Sequence, residues 1–215
     1  MEHNLRPEES LHALADIRDI CSMMERSTRF ISLSGWSGVW AGCTALAGAA
    51  LAYRTLRNTP YETAPQVREL SALLAEPLTV RLGFIAVLTF IVAFCGAFYF
   101  SWRKAQTKGQ KMWTRPARQF MVQVAIPMLV GGVFCLAFLS NGLYSFIAPG
   151  CLAFYGLALV NGGKYTLGEI RWLGYCEVAL ACIALFMPYH GLAFMAAGFG
   201  LLHIGYGVVM WNKYG

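Results

Sequence analysis

The chain has 215 residues, 57% of them hydrophobic and only 13% charged, with a mean hydropathy of +0.51. Soluble domains carry about 25% charged residues, so this composition excludes an ordinary soluble enzyme or binding module and points to an all-α integral membrane protein. The net charge of +6 is not a nucleic-acid footprint: the bases sit in loops between apolar runs, and no nucleic-acid-binding motif accompanies them.

At about 20 residues per crossing plus loops, this length accommodates six membrane helices and no second, soluble domain. Residues 1–29 are charged and mixed in sign, without the short apolar core of a secretion signal. Within them the spacing predicts an amphipathic cytosolic helix over residues 7–28. Leu11, Leu14, Ile17, Ile20 and Met24 form one stripe, and Asp16, Arg18, Asp19 and Glu25 lie opposite. Such a helix packs on the bundle, lies on the lipid surface, or offers a face to a cytosolic protein partner.

The first span is predicted at about 30–53, where Gly38, Gly42, Ala45 and Ala49 form a small-residue face for close helix packing. Trp36, Trp40, Cys43 and Ala47 make a bulkier stripe on it. After a connection with its own short amphipathic run (Val67, Leu70, Leu74), the second span is predicted at about 78–101. The loop 103–118 carries Arg103, Lys104, Lys108, Lys111, Arg115 and Arg118 and no acid. The third span, about 118–139, contains Pro127, which should kink it. Asn141-Gly142 is a tight turn into the fourth span, about 144–162. The fifth, about 170–187, stops at Pro188, and the sixth, about 190–211, repeats glycine every seven residues at Gly191, Gly198 and Gly205, a second expected packing stripe. The seven cysteines show no metal-type spacing, and six fall in apolar runs, as small buried side chains do.

With the N-terminus in the cytosol, 13 of the 17 basic residues lie on the cytosolic side, leaving Arg54, Arg57, Arg68 and Arg81 outside. That bias places both termini in the cytosol and requires an even number of spans. Trp102, Trp113, Trp172 and Trp211 then fall at cytosolic span ends, where an amphipathic indole is favoured.

No zinc-protease, nucleophile-elbow or phosphate-loop signature is present. No cofactor is implied. A haem held between two helices needs a histidine on each, and His190 and His203 both belong to the sixth span. The informative residues are the polar ones within spans, because a polar side chain in lipid normally turns inward. By the 1.5 Å rise, Glu177 lies roughly 10 Å and His203 roughly 12 Å from the cytosolic ends of their helices. Gln123 and Asn161 occupy the same half, with Lys164 and Arg171 at its mouth. The six form either a structural network or an inner-leaflet pocket for a small-molecule ligand, ion or proton. The short turn near Pro188 makes spans five and six antiparallel neighbours, so Glu177 and His203 are expected to pair.

Three stretches carry a resemblance. They are Ile17-Arg18-Asp19-Ile20 with Met24 to Phe30 and Leu33-Ser34-Gly35; Lys164 to Arg171; and Gly198-Phe199-Gly200 through Leu202-His203-Ile204 to Tyr206-Gly207. Together they resemble a family of small, uncharacterised multi-pass membrane proteins of Bacteroidota. The resemblance implies a bacterial inner membrane, and it brings no activity or site residue with it. The function classes left are a membrane-embedded sensing or interaction protein reading the inner-leaflet pocket, a small-molecule or ion transporter or channel using the same pocket, and a lipid-modifying enzyme.

Overall fold

The computed structural model describes residues 16–17, 34–58, 77–109 and 113–214. The predicted helix over 7–28 and the amphipathic run Val67, Leu70, Leu74 therefore lie outside the described residues, apart from Asp16 and Ile17. Every long element is helical: α1 (Gly35–Asn58), α2 (Pro77–Thr107), α3 (Arg115–Ser140), α4 (Ile147–Gly162) and α5 (Glu169–Leu185). A final rod is made of a 3₁₀ turn (Pro188–His190), α6 (Gly191–Met195), a π-helical stretch (Ala196–Leu202) and α7 (His203–Tyr214).

Local chemistry sets the ends. Thr114 caps α3, its hydroxyl accepting from the Ala117 amide at 3.4 Å, with proline in the first turn where no amide hydrogen is needed. Gly142, at φ +71°, turns the chain between α3 and the 3₁₀ turn Tyr144–Phe146 that leads into α4.

Among the described residues, four helices are long and apolar enough to cross a membrane: Pro77–Thr107, Arg115–Ser140, Tyr144–Gly162 and Pro188–Lys213. By length and composition this is a membrane protein. The other two helices stand where spans one and five are predicted but carry a weaker apolar signal. In α1, glycine, serine and tryptophan take up positions that Leu or Val would fill. In α5, only 17 residues long, Glu169, Arg171 and Glu177 interrupt the run.

The helices pack as α2 on α1, α1 on the final rod, the final rod on α4 and α5, and α3 on α4. The two flanking helices bury little: α2 only Ser101 and Ala105, α3 only Ala117 and Gly131. Their outward faces carry Phe84, Val87, Phe90, Leu129 and Val133, an apolar surface that suits lipid.

Backbone contact at glycines fixes two crossings. A Cβ at Gly42 would lie 2.6 Å from the Gly200 carbonyl oxygen and 2.6 Å from Ile204 Cγ1, so α1 and the final rod meet at van der Waals range only because residue 42 has no side chain. At the α4–α5 crossing, a Cβ on Gly156 would meet the Gly174 carbonyl at 2.8 Å, and one on Gly174 the Gly156 carbonyl at 2.7 Å.

Two expectations need correction. The stripe Gly191, Gly198, Gly205 is not one packing face: Gly198 is tightly enclosed, whereas a Cβ at Gly205 would meet nothing within 4 Å. Three and a half residues per turn differ from the helix repeat, and the π-helical stretch between the two glycines shifts the phase further. Nor are the described cysteines uniformly buried. Cys135 and Cys151 are partly buried, but Cys43, Cys95, Cys176 and Cys182 are exposed on the helix surfaces, since a small apolar side chain is at home facing lipid as well as facing protein.

Trp36 and Trp211 meet with ring centroids 5.9 Å apart, and Lys213 pairs with Glu169. These contacts, with Phe120 against Gly162, gather the start of α1, the ends of α4 and α7, and the starts of α3 and α5 at one end of the molecule.

Candidate functional site

Glu177 sits on the inward face of α5 with no exposed surface. Facing it, His203 opens α7 immediately after the π-helical stretch and is 6% exposed. The nearest approach is 3.4 Å, from His203 Nδ1 to Glu177 Oε1. His203 is held on both ring nitrogens. Nδ1 lies 3.0 Å from the Gly198 carbonyl, which can only accept, so Nδ1 carries a hydrogen. Nε2 lies 2.7 Å from the Tyr155 hydroxyl of α4. With a neutral imidazole, the Tyr155 hydroxyl therefore donates to Nε2.

The π-helical geometry makes this possible. Gly198 precedes His203 by five residues, the separation of one π turn, and its carbonyl is thereby directed at the imidazole. Gly198 also makes room for the acid. A Cβ there would lie 2.5 Å from Glu177 Oε2 and 2.5 Å from Leu152 Cδ2. Leu152, itself fully buried, closes the floor.

One feature of this centre is chemically incomplete. Neither carboxyl oxygen of Glu177 has a hydrogen-bond partner among the described residues. The one hydrogen on Nδ1 is taken up by the Gly198 carbonyl at 3.0 Å, and Glu177 Oε1, at 3.4 Å, is left without it. A buried carboxyl without donors is costly and uncommon.

Gln123 and Asn161 form a second cluster elsewhere. Asn161 Nδ2 donates to Gln123 Oε1 at 2.6 Å and to the Gln123 backbone carbonyl at 3.3 Å. That carbonyl would ordinarily accept from the amide of residue 127, four positions on. Residue 127 is proline and has no amide hydrogen. Asn161 thus satisfies the carbonyl that Pro127 releases, across the α3–α4 interface.

The six candidate residues therefore do not form one pocket. Tyr155, facing Glu177 and His203, and Asn161, facing α3, are six residues apart on α4, which is about 240° around the helix. On α5 the same offset separates Glu177 from Arg171. Arg171 is exposed and reaches Tyr175 at 3.4 Å, outside the Glu177 centre. Lys164 is exposed at the end of a shallow groove beside Asn161. The centre thus consists of Glu177, His203 and Tyr155, with Gly198 as a backbone partner. Sequence reading missed Tyr155. Counting depth from the end of α4 places its phenol level with Glu177 and His203, and a lone hydroxyl in an apolar helix is the signal that identifies it.

Among the described residues, no cluster of three or more histidine, cysteine or acidic side chains could hold a metal ion. Compared with protein-family models, with curated proteins and with solved structures, the chain matches none.

Proposed function

We propose that this is a six-span protein of a bacterial inner membrane, with both termini in the cytosol, and that it is a membrane-embedded sensor whose input is protonation of the Glu177–His203 pair. The observation that carries the reading is the Glu177 carboxyl, fully buried, without a hydrogen-bond donor among the described residues and 3.4 Å from an imidazole. An ionisable side chain kept in that setting inside a membrane bundle is a functional candidate.

The pair has distinct protonation states with distinct hydrogen bonds. In one, a carboxylate faces a neutral imidazole whose single N–H is already directed at Gly198. In the other, one more proton rests either on Glu177 or on Nε2 of His203. When it rests on Nε2, the Tyr155 bond reverses and the phenol oxygen becomes the acceptor. The partners of the pair lead outward. Gly198 belongs to the π-helical stretch, and two residues further Gly200 packs against Leu46 of α1. From α1 the chain continues to residues 1–29, the segment expected to face cytosolic partners. Two surface grooves among the described residues, one along Pro127 to Lys164 and one along Thr55 to Ile85, are lined by neither Glu177 nor His203, which favours the sensor reading over a conduit.

Infrared difference spectroscopy across a pH series, on the full chain in lipid, tests this. The expected result is a carboxylic-acid C=O band that titrates in the wild type and is missing from folded Glu177→Gln. If the folded variant keeps every titrating band, the protonation site is elsewhere and the proposal fails.

A further inference from the structure

A groove of about 390 Å³ runs along the α3–α4 interface, lined by Pro127, Val130, Phe154, Leu157, Asn161 and Lys164. On α4, Phe154, Leu157 and Asn161 follow spacings of three and four, so they share one helix face. From Phe154 to the end of α4 at Gly162 is about 12 Å at the α-helical rise, and Lys164 follows two residues beyond. The reach to Lys164 is thus close to half of the roughly 30 Å hydrocarbon core, the depth of one leaflet.

The groove is chemically graded. Its deep part is apolar, from Pro127, Val130, Phe154 and Leu157. Its shallow end is Lys164, exposed just beyond the α4 cap at Gly163. Another cation stands beside it: the Arg171 side chain packs over Gly163. Among the described residues Lys164 has no ion-pair partner, and the nearby acid Glu169 is paired with Lys213.

We propose that this groove is an inner-leaflet site for one anionic phospholipid. An acyl chain lies along Phe154, Leu157, Pro127 and Val130, and the headgroup phosphate sits on Lys164 with Arg171 beside it. A zwitterionic lipid fills the same apolar length, but its headgroup does not complement an unpaired cation and its cationic neighbour. The site does not involve Glu177, so its failure leaves the protonation reading standing, and the reverse also holds.

Native mass spectrometry of the full chain, with chain-matched phosphatidylglycerol and phosphatidylcholine, is the test. One phosphatidylglycerol should be retained in preference. Lys164→Gln should lower its retention about tenfold, as loss of one charge-assisted hydrogen bond does, and leave phosphatidylcholine unchanged. Leu157→Trp fills the groove from a half-exposed position and should lower retention of both lipids. Lys108→Gln, in the basic loop, should lower neither. An unchanged preference in Lys164→Gln, an equal loss in Lys108→Gln, or full retention in Leu157→Trp would each overturn the site. So would competition by soluble glycerol phosphate at the lipid's own concentration, which would assign the phosphate contact to a free ligand.

Discussion

Asn161 with Gln123 and Glu177 with His203 are both polar pairs that bridge neighbouring helices, and they differ in how far their hydrogen bonding is satisfied. The first has a local cause: Pro127 frees a backbone carbonyl and Asn161 takes it up at 3.3 Å, while the two amide side chains meet at 2.6 Å. The second has no such cause. His203 is satisfied by Gly198 and Tyr155, yet Glu177 is buried with both oxygens unpartnered. A polar residue explained by a defect in its neighbour's backbone needs no further role. One that creates an unsatisfied group does, which is why function is assigned to the second pair and architecture to the first.

The largest expected effect strikes the second pair. His203→Ala removes the imidazole beside Glu177 and the partner of Tyr155, and breaking a buried pair from one side costs about 3–5 kcal/mol. Removing the acid should behave differently. Glu177→Met replaces a carboxyl that has no donor among the described residues with an apolar chain of similar length, and it leaves His203 its bonds to Gly198 and Tyr155, so its effect should be close to neutral. Detergent unfolding of both variants reads the contrast. If Glu177→Met loses as much stability as His203→Ala, Glu177 is a structural member like Asn161, and the distinction between the pairs collapses.

A smaller effect tests how the acid is seated. Gly198→Ala sets a methyl group 2.5 Å from Glu177 Oε2 and from Leu152 Cδ2, and overpacking of this kind costs about 1–3 kcal/mol. The matching change seven residues on, Gly205→Ala, meets nothing within 4 Å and should gain about 0.5–1 kcal/mol from helix propensity. Equal effects at the two positions would show that the glycine repeat, and not the Glu177 seat, is what matters on this rod.

The helices themselves were legible because apolar runs, Pro188 and Asn141-Gly142 mark their ends. So was the pairing of Glu177 with His203, since depth follows from residue counts and the short turn makes their helices neighbours. Facing was not legible. Whether Asn161 turns toward Glu177 or toward α3 depends on how α4 is rotated between two neighbours, and the backbone contact at Gly156 and Gly174 fixes that rotation. Depth therefore grouped residues that rotation separates. The π-helical stretch escaped notice for a related reason: nothing in Ala196–Leu202 announces it, and it is held by His203 reaching back to Gly198. The cysteines misled because burial rules for water-soluble proteins lose their sign in lipid.

The smallest effect examines the architectural pair. If Asn161 serves the carboxamide of Gln123 alone, Asn161→Ala should cost the same whatever stands at residue 127. If it serves the carbonyl released by proline, its value must depend on that proline. Pro127→Ala restores an amide hydrogen at the position that closes the bond to the Gln123 carbonyl. In the wild-type background Asn161→Ala should therefore cost about 1 kcal/mol, the usual net worth of a hydrogen bond. In the Pro127→Ala background the loss should fall to a few tenths of a kcal/mol, since the carbonyl is then satisfied within α3 and only the side-chain contact is lost. A double-mutant cycle in detergent isolates that difference, and neither change touches Glu177 or His203, so the titrating infrared band serves as an internal control. Additive losses would mean that Pro127 and Asn161 are unrelated. Asn161 would then be a second intramembrane polar group without a backbone cause, and by the reasoning applied to Glu177 it too would become a functional candidate.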